Sequence, residues 1–178
     1  MKQVPFFVTR KLLDFCRSNE SWLLELIESI VAMESPSDDP AAVNRCGGEL
    51  ARRLEAIGGK VTRVQAPTAG DHLRASFGHG PRQILMLGHF DTVWPIGQLA
   101  KMPLKRDGGR LYGPGVFDMK AGVGLAMLAA RAAVEHDLLD GCEVVMLWTT
   151  DEEIGSGTSR AAIEAEAARS AAVLVFEP

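Results

Sequence analysis

Cysteine is scarce. Cys16, Cys46 and Cys142 are odd in number and share no Cys-x-x-Cys spacing. That excludes a disulfide framework and reads as reduced, buried thiols of a cytosolic-type protein. Blocks of positive charge are missing too: the formal net charge is −4 and no Lys/Arg cluster breaks that balance. An electrostatic nucleic-acid binder is therefore excluded. No apolar stretch approaches the length of a membrane helix. The run Val4-Pro5-Phe6-Phe7-Val8 after Met1-Lys2 is too short for the core of a signal peptide. No internal repeat or low-complexity segment interrupts the chain. The expectation is a soluble, cytoplasmic protein with no membrane or nucleic-acid partner. What remains, 178 residues of which 47% are hydrophobic and 24% charged, suffices for one domain with a substantial core.

After a leader over residues 1–20, helical and strand patterns alternate, which predicts an α/β fold with a mixed, largely parallel sheet flanked by helices. Trp22, Leu23, Leu26, Ile27, Ile30 and Val31 recur at helical spacing over 22–33, with Ser21 as the expected N-cap. Ser35-Pro36-Ser37-Asp38-Asp39-Pro40 is a turn that also starts the next helix, with Asp39 as cap and Pro40 at its first position; that helix buries Val43, Leu50, Leu54 and Ile57 and stops at Gly58-Gly59. Strands are predicted over 60–65, 73–77 and 83–87. Ile84-Leu85-Met86-Leu87 is the unbroken apolar run of a central strand covered on both faces. A helix over 120–136 is apolar almost all round, with Gly122, Gly124, Ala126 and Ala129 expected to admit close approach to the sheet. A buried strand over 143–148, a helix over 157–169 and a strand over 172–176 complete the pattern.

The polar motifs fall at the ends of these strands. His89 and Asp91 follow the strand ending at Leu87; Asp151, Glu152 and Glu153 follow the one ending at Trp148; Glu177 follows the one ending at Phe176. Ligands of open α/β sheets collect at the carboxyl ends of strands. Each piece alone has a plainer reading. A single histidine after a strand is usually structural, Gly113-Pro114-Gly115 bends the chain, Asp118 suits a helix N-cap, and Asp151-Glu152-Glu153 suits a solvated turn. No Lys-Ser/Thr follows the glycines to make a phosphate loop. Asp91, two residues after His89 on extended backbone, faces the same way and can accept the imidazole's second N–H. The joint occurrence of all these pieces is the signal.

Gly88-His89-Phe90-Asp91-Thr92-Val93, Gly113-Pro114-Gly115 with Asp118-Met119-Lys120, Asp151-Glu152-Glu153 with Gly155-Ser156, and Phe176-Glu177-Pro178 together resemble the N-terminal part of an M20-family zinc metallopeptidase. The resemblance runs from about Trp22 to Pro178. Trp94-Pro95-Ile96-Gly97 and Arg110-Leu111-Tyr112 favour the glutamate carboxypeptidase (carboxypeptidase G2-like) branch over aminoacylases and succinyl-diaminopimelate desuccinylases.

The resemblance implies a zinc-exopeptidase-like catalytic domain and a set of roles. His89 and Glu177 would bind one Zn²⁺, Asp118 would bridge two, and Glu153 would bind the second. Asp91 would orient His89, Glu152 would be the general base, and the Asp118–Met119 peptide would be cis. Three carboxylates offset most of the charge of two divalent cations, and Co²⁺ or Mn²⁺ suit such ligands as well as zinc. The family's second zinc histidine and its lid and dimerisation domain lie downstream. The resemblance therefore implies that residues 21–178 are the N-terminal half of a catalytic domain, that the lid and the C-terminal part are absent, and that this chain alone is inactive. His72, His79 and His136 match no such ligand and read as structural or surface residues. The complete protein would be a homodimer that hydrolyses a peptide or N-acyl amino acid, releasing C-terminal glutamate or a similar residue. An N-acyl-amino-acid deacetylase of the same superfamily, and a non-catalytic metal-binding or interaction module, are the alternatives.

Overall fold

The computed structural model describes residues 6–178. Residues 1–5, where the short N-terminal apolar run begins, lie outside the described residues. Part of the span read as a leader is a helix, α1 (Phe6–Ser18), which packs on its successor α2 (Glu20–Ala32) and on α4 (Ala121–Glu135). This junction moves the start of α2. Asn19, not Ser21, holds the N-cap position and makes no side-chain cap. Its amide instead donates to the Phe15 carbonyl at 2.9 Å, because α1 runs almost directly into α2 and leaves no free start to cap. α3 (Pro40–Ala56) begins as its sequence indicates: Asp39 accepts from the Ala42 N–H at 2.9 Å and Pro40 opens the helix.

The sheet is mixed. β1 (Lys60–Val64) pairs antiparallel with the first limb of β2 (His72–His89). The two strands expected over 73–77 and 83–87 are one bent element, which turns back where Gly78 and Gly80 adopt φ of +70° and +156°. In the first limb, Leu73 to Gly78 lie opposite Trp148 to Glu143 in descending order. In the second, Arg82 to His89 lie opposite Cys142 to Thr149 in ascending order. β5 (Asp140–Thr149) is thus embraced by both limbs. β6 (Ser170–Val175) pairs parallel with the second limb. A small hairpin of β3 (Lys105–Asp107) and β4 (Arg110–Tyr112) turns at Gly108-Gly109. The glycine pair between two short extended runs was the available signal for it.

Alternation along the strands divides the core. Phe77, Met86, Val144, Met146 and Trp148 face Leu26, Ile30, Leu50, Leu54, Val123 and Met127 of α2, α3 and α4. Leu85, Val145 and Leu147 face Ala162, Ile163 and Ala167 of α5 (Arg160–Arg169). Burying each such aliphatic side chain stabilises the fold by about 1.5–3 kcal/mol. Of the small residues of α4, Ala126 is buried in the cluster that holds the sheet side chains, as expected, while Gly124 and Ala129 depart from the sequence expectation. Gly124 meets α2, where a Cβ would stand 2.7 Å from Ile27 Cγ1, and Gly122 meets the Phe176 carbonyl just after β6, while Ala129 is exposed. Val173, Leu174 and Val175 of β6 are about half exposed, at 41%, 45% and 56%.

α5 is tied to the sheet by Glu166, which is 8% exposed. Its carboxylate accepts from Arg74 Nε at 2.7 Å and from Gln83 Nε2 at 2.8 Å. Burial pushes this carboxyl up, but the Arg74 and Gln83 hydrogen bonds and the charges of Arg74 and Arg169 outweigh it and hold it below the usual range. A carboxyl lowered on folding stabilises above its unfolded value, and that contribution fades as pH falls toward the folded value. Glu166→Gln should therefore lower the melting temperature near neutrality, with the deficit shrinking as pH drops through the carboxylate range; thermal melts across pH check this. Gly124→Val should force α2 and α4 apart and cost about 1–3 kcal/mol in chemical denaturation.

Candidate metal centre

His89 closes β2, and its ring is 1% exposed. Its Nε2 lies 3.1 Å from Asp118 Oδ1, 3.3 Å from Glu177 Oε1 and 3.8 Å from Glu152 Oε2. One ligand atom from each of His89, Asp118 and Glu153 falls within a 4.8 Å span. Asp91, 0% exposed, faces the other ring nitrogen: Nδ1 stands 3.1 Å from its main-chain oxygen and 3.3 Å from Oδ1. All six residues singled out in the sequence (His89, Asp91, Asp118, Glu152, Glu153 and Glu177) come to one sheet edge.

Local backbone explains their presentation. Gly115, at φ +69°, starts a wide turn over Val116–Lys120, closed by the Lys120 N–H on the Gly115 carbonyl at 3.0 Å. Within it the Asp118–Met119 peptide is cis, as the resemblance implied, and the Asp118 side chain is 53% exposed. Asp118 is thus no N-cap of α4; Lys120 holds that position. Met119 is buried over Gly88, where a Cβ would stand 2.6 Å from Met119 Cε. Beyond β5, a single turn (Glu152–Ile154) ends at Gly155, whose N–H returns to the Glu152 carbonyl at 2.9 Å.

Asp151 belongs to the framework of this turn. Its Oδ2 accepts from Thr158 N at 2.6 Å and from Thr158 Oγ1 at 2.7 Å. His72, fully buried, lies between Thr150 Oγ1 at 2.7 Å and Thr158 Oγ1 at 3.1 Å, and so has the structural role its sequence suggested. His136 stacks edge-on against Phe15, 5.4 Å between centroids, and His79 sits in the bend of β2.

The centre carries more negative charge than its own groups compensate. Burial alone would hold the His89 imidazole down, but the Asp91 hydrogen bond and the charges of Asp91, Glu177 and Glu152 raise it to about 9. Burial, and then the neighbouring Asp118 charge, push Glu153 up; burial and the charges of Asp118 and Glu152 do the same to Glu177 against the pull of His89. Like charges crowded at one edge are what a bound cation relieves. One imidazole with several carboxylates and no thiolate fits zinc, cobalt or manganese.

Sequence reasoning missed two contributors. Ser37, 5% exposed, donates to Asp91 Oδ2 at 2.7 Å; it was read only as part of a turn. Lys120, 1% exposed, donates its Nζ to the Ile30 and Met33 carbonyls at 2.8 and 3.1 Å, pinning the end of α2 beside the Asp118 turn. Its place beside Asp118-Met119 was the available signal.

The chain is similar to known proteins in sequence and in fold. Residues 85–178 match the family described as Peptidase family M20/M25/M40. Carboxypeptidase G2 of Pseudomonas sp. (strain RS-16) is 33% identical over 159 residues, covering 88% of this chain and 38% of that protein. A succinyl-diaminopimelate desuccinylase of Nitrosospira multiformis is 34% identical over 137 residues, covering 73% and 34%. This chain thus spans well under half the length of either relative. Among solved structures, human carnosine dipeptidase 1 superposes with a TM-score of 0.78 at 20% identity, over 93% of this chain and 40% of that one. An M20 family metallo-carboxypeptidase, Sso-CP2 from Sulfolobus solfataricus, gives 0.72 at 20% identity, over 86% and 36%. With the motif residues gathered at the strand ends and the family match covering more than half of the chain, this protein belongs to peptidase family M20/M25/M40.

Proposed function

We propose that the protein of which these residues form a part is a dinuclear zinc hydrolase of an amide bond, a carboxypeptidase releasing C-terminal glutamate or a similar amino acid. The observation that carries the reading is the convergence of Asp118, Glu152, Glu153 and Glu177 on the buried His89 at the sheet edge. His89, Asp118 and Glu177 would hold one ion; Asp118 and Glu153 would hold the second. That second ion needs a further ligand from outside the described residues, since His72, His79 and His136 are placed elsewhere. Bound in pairs, such ions acidify a shared water and polarise a carbonyl.

The chain's own residues divide the remaining work. Asp91 holds the tautomer of His89 so that Nε2 faces the cluster. Glu152 is half exposed, at 49%, and is free of the hydrogen bonds that fix Asp91 and Asp151. It is therefore suited to take the proton of the attacking water and deliver it to the leaving nitrogen. The similarity to carboxypeptidase G2 over 88% of the chain supports the carboxypeptidase assignment. The match to a desuccinylase favours a second reading, an N-acyl-amino-acid deacylase working through the same residues. The three unpaired thiols support a cytoplasmic setting.

Metal analysis and kinetics on the complete reading frame test these assignments. Glu152→Gln should keep its zinc and lose about 10²–10⁴-fold in kcat. Equal loss of zinc in that variant would remove Glu152 from the role of base. His89→Ala should lose bound metal, measured by elemental analysis after dialysis. Faster turnover of N-acyl-glutamates than of N-acetyl or N-succinyl derivatives of other amino acids supports the carboxypeptidase; the reverse order supports the deacylase.

A further inference from the structure

The segment between α2 and α3 reaches into the centre. Residues 35–37 lie alongside residues 90–92, with Pro36 and Thr92 forming a parallel bridge. Thr92 N donates to the Ser35 carbonyl at 2.9 Å, Ser37 N to the Thr92 carbonyl at 3.2 Å, and Ser35 Oγ to the Phe90 carbonyl at 2.6 Å. Ser35, Ser37, Asp91 and Thr92 are all buried. The strap is anchored upstream by Lys120 on the Ile30 and Met33 carbonyls. Its polar tip is Ser37, whose Oγ lies 2.7 Å from Asp91 Oδ2 and a longer 3.4 Å from the Thr92 carbonyl. A hydroxyl has one proton to give, and the short, charge-assisted bond to the carboxylate takes it.

The Asp91 carboxylate is thereby saturated. Oδ1 faces His89 Nδ1 at 3.3 Å and Glu152 N at 3.4 Å; Oδ2 takes Ser37 Oγ at 2.7 Å and Glu153 N at 3.3 Å. Ser37 makes the shortest of these four contacts. Without it, a fully buried oxygen keeps one long bond, and the carboxylate is free to rotate away from both the imidazole and the Glu152–Glu153 turn. We infer that Ser37 is a positioning residue for the metal centre, acting through Asp91 to fix the orientation of His89 and the placement of Glu152 and Glu153. The inference rests on the proposed metal-binding function.

The test uses the complete reading frame, with zinc affinity from chelator competition and the visible spectrum of the cobalt(II)-substituted protein. Ser37→Ala should weaken zinc by about 10–100-fold, the range for partners that orient a metal ligand, and alter the cobalt bands. Ser37→Thr, which keeps the hydroxyl, should restore most of the affinity. Should the alanine variant not fold, Ser37→Cys keeps the shape with a much weaker donor and should show a smaller loss in the same direction. Wild-type zinc affinity and cobalt spectrum in Ser37→Ala or Ser37→Cys, with only the melting temperature of the metal-free protein lowered, would overturn the positioning role. His89→Ala and Asp91→Ala separate the two levels. If they weaken zinc while the Ser37 variants do not, only this inference falls; if they too leave zinc binding unchanged, the metal reading falls and takes the inference with it.

Discussion

Mutual repulsion among carboxylates is the constraint around which this structure is arranged. Asp118, Glu152, Glu153 and Glu177 approach one buried imidazole from three different parts of the chain, and burial together with the neighbouring carboxylate charges pushes Glu153 and Glu177 up. Left to itself such a cluster would disperse into solvent. It is held because each acid sits at the end of a strand, or on a turn, whose geometry is fixed by unrelated contacts: Met119 over Gly88, the Asp151 cap on Thr158, and the pairing of β6 with β2. The scaffold holds the charges in place; a bound cation would relieve them.

The division of labour among the acids follows from their surroundings rather than their type. Asp91 and Asp151 are buried, Asp91 bonded through both carboxylate oxygens and Asp151 through Oδ2 alone, and they act on neighbours by accepting hydrogen bonds from backbone and hydroxyl groups. Asp118 and Glu152 keep about half their surface and approach the imidazole Nε2 to 3.1 and 3.8 Å. Residues of one chemical class are thus built into the framework or left open to the surface according to how many donors surround them. The formal net charge of −4 over the whole chain says nothing of this local excess.

Much of the arrangement was legible in the sequence because the signals were short-range or positional. The ends of β2, β5 and β6 at His89, Thr149 and Val175 could be read to within two residues from apolar runs, which was enough to place the acids beside them. Asp39 and Pro40 announced α3 for the same local reason. The misread parts depend on contacts distant in sequence. Ser21 looked like a cap because nothing local shows that α1 runs into α2. Gly124 looked like a sheet contact because its partner, Ile27, is nearly a hundred residues away. Ser37 looked like a turn residue because its hydroxyl is spent on Asp91, at a sequence separation of 54.

The bend of β2 has a mechanical consequence. Because both limbs of one strand flank β5, the strand that leads to Glu152 and Glu153 is clamped from either side over its length, and it cannot slide or fray without breaking two ladders at once. What extends beyond the ladders at this edge is the Glu152–Ile154 turn, the Val116–Lys120 turn and the tail after β6. Movement at this edge would have to come from those short turns flexing on a stationary base.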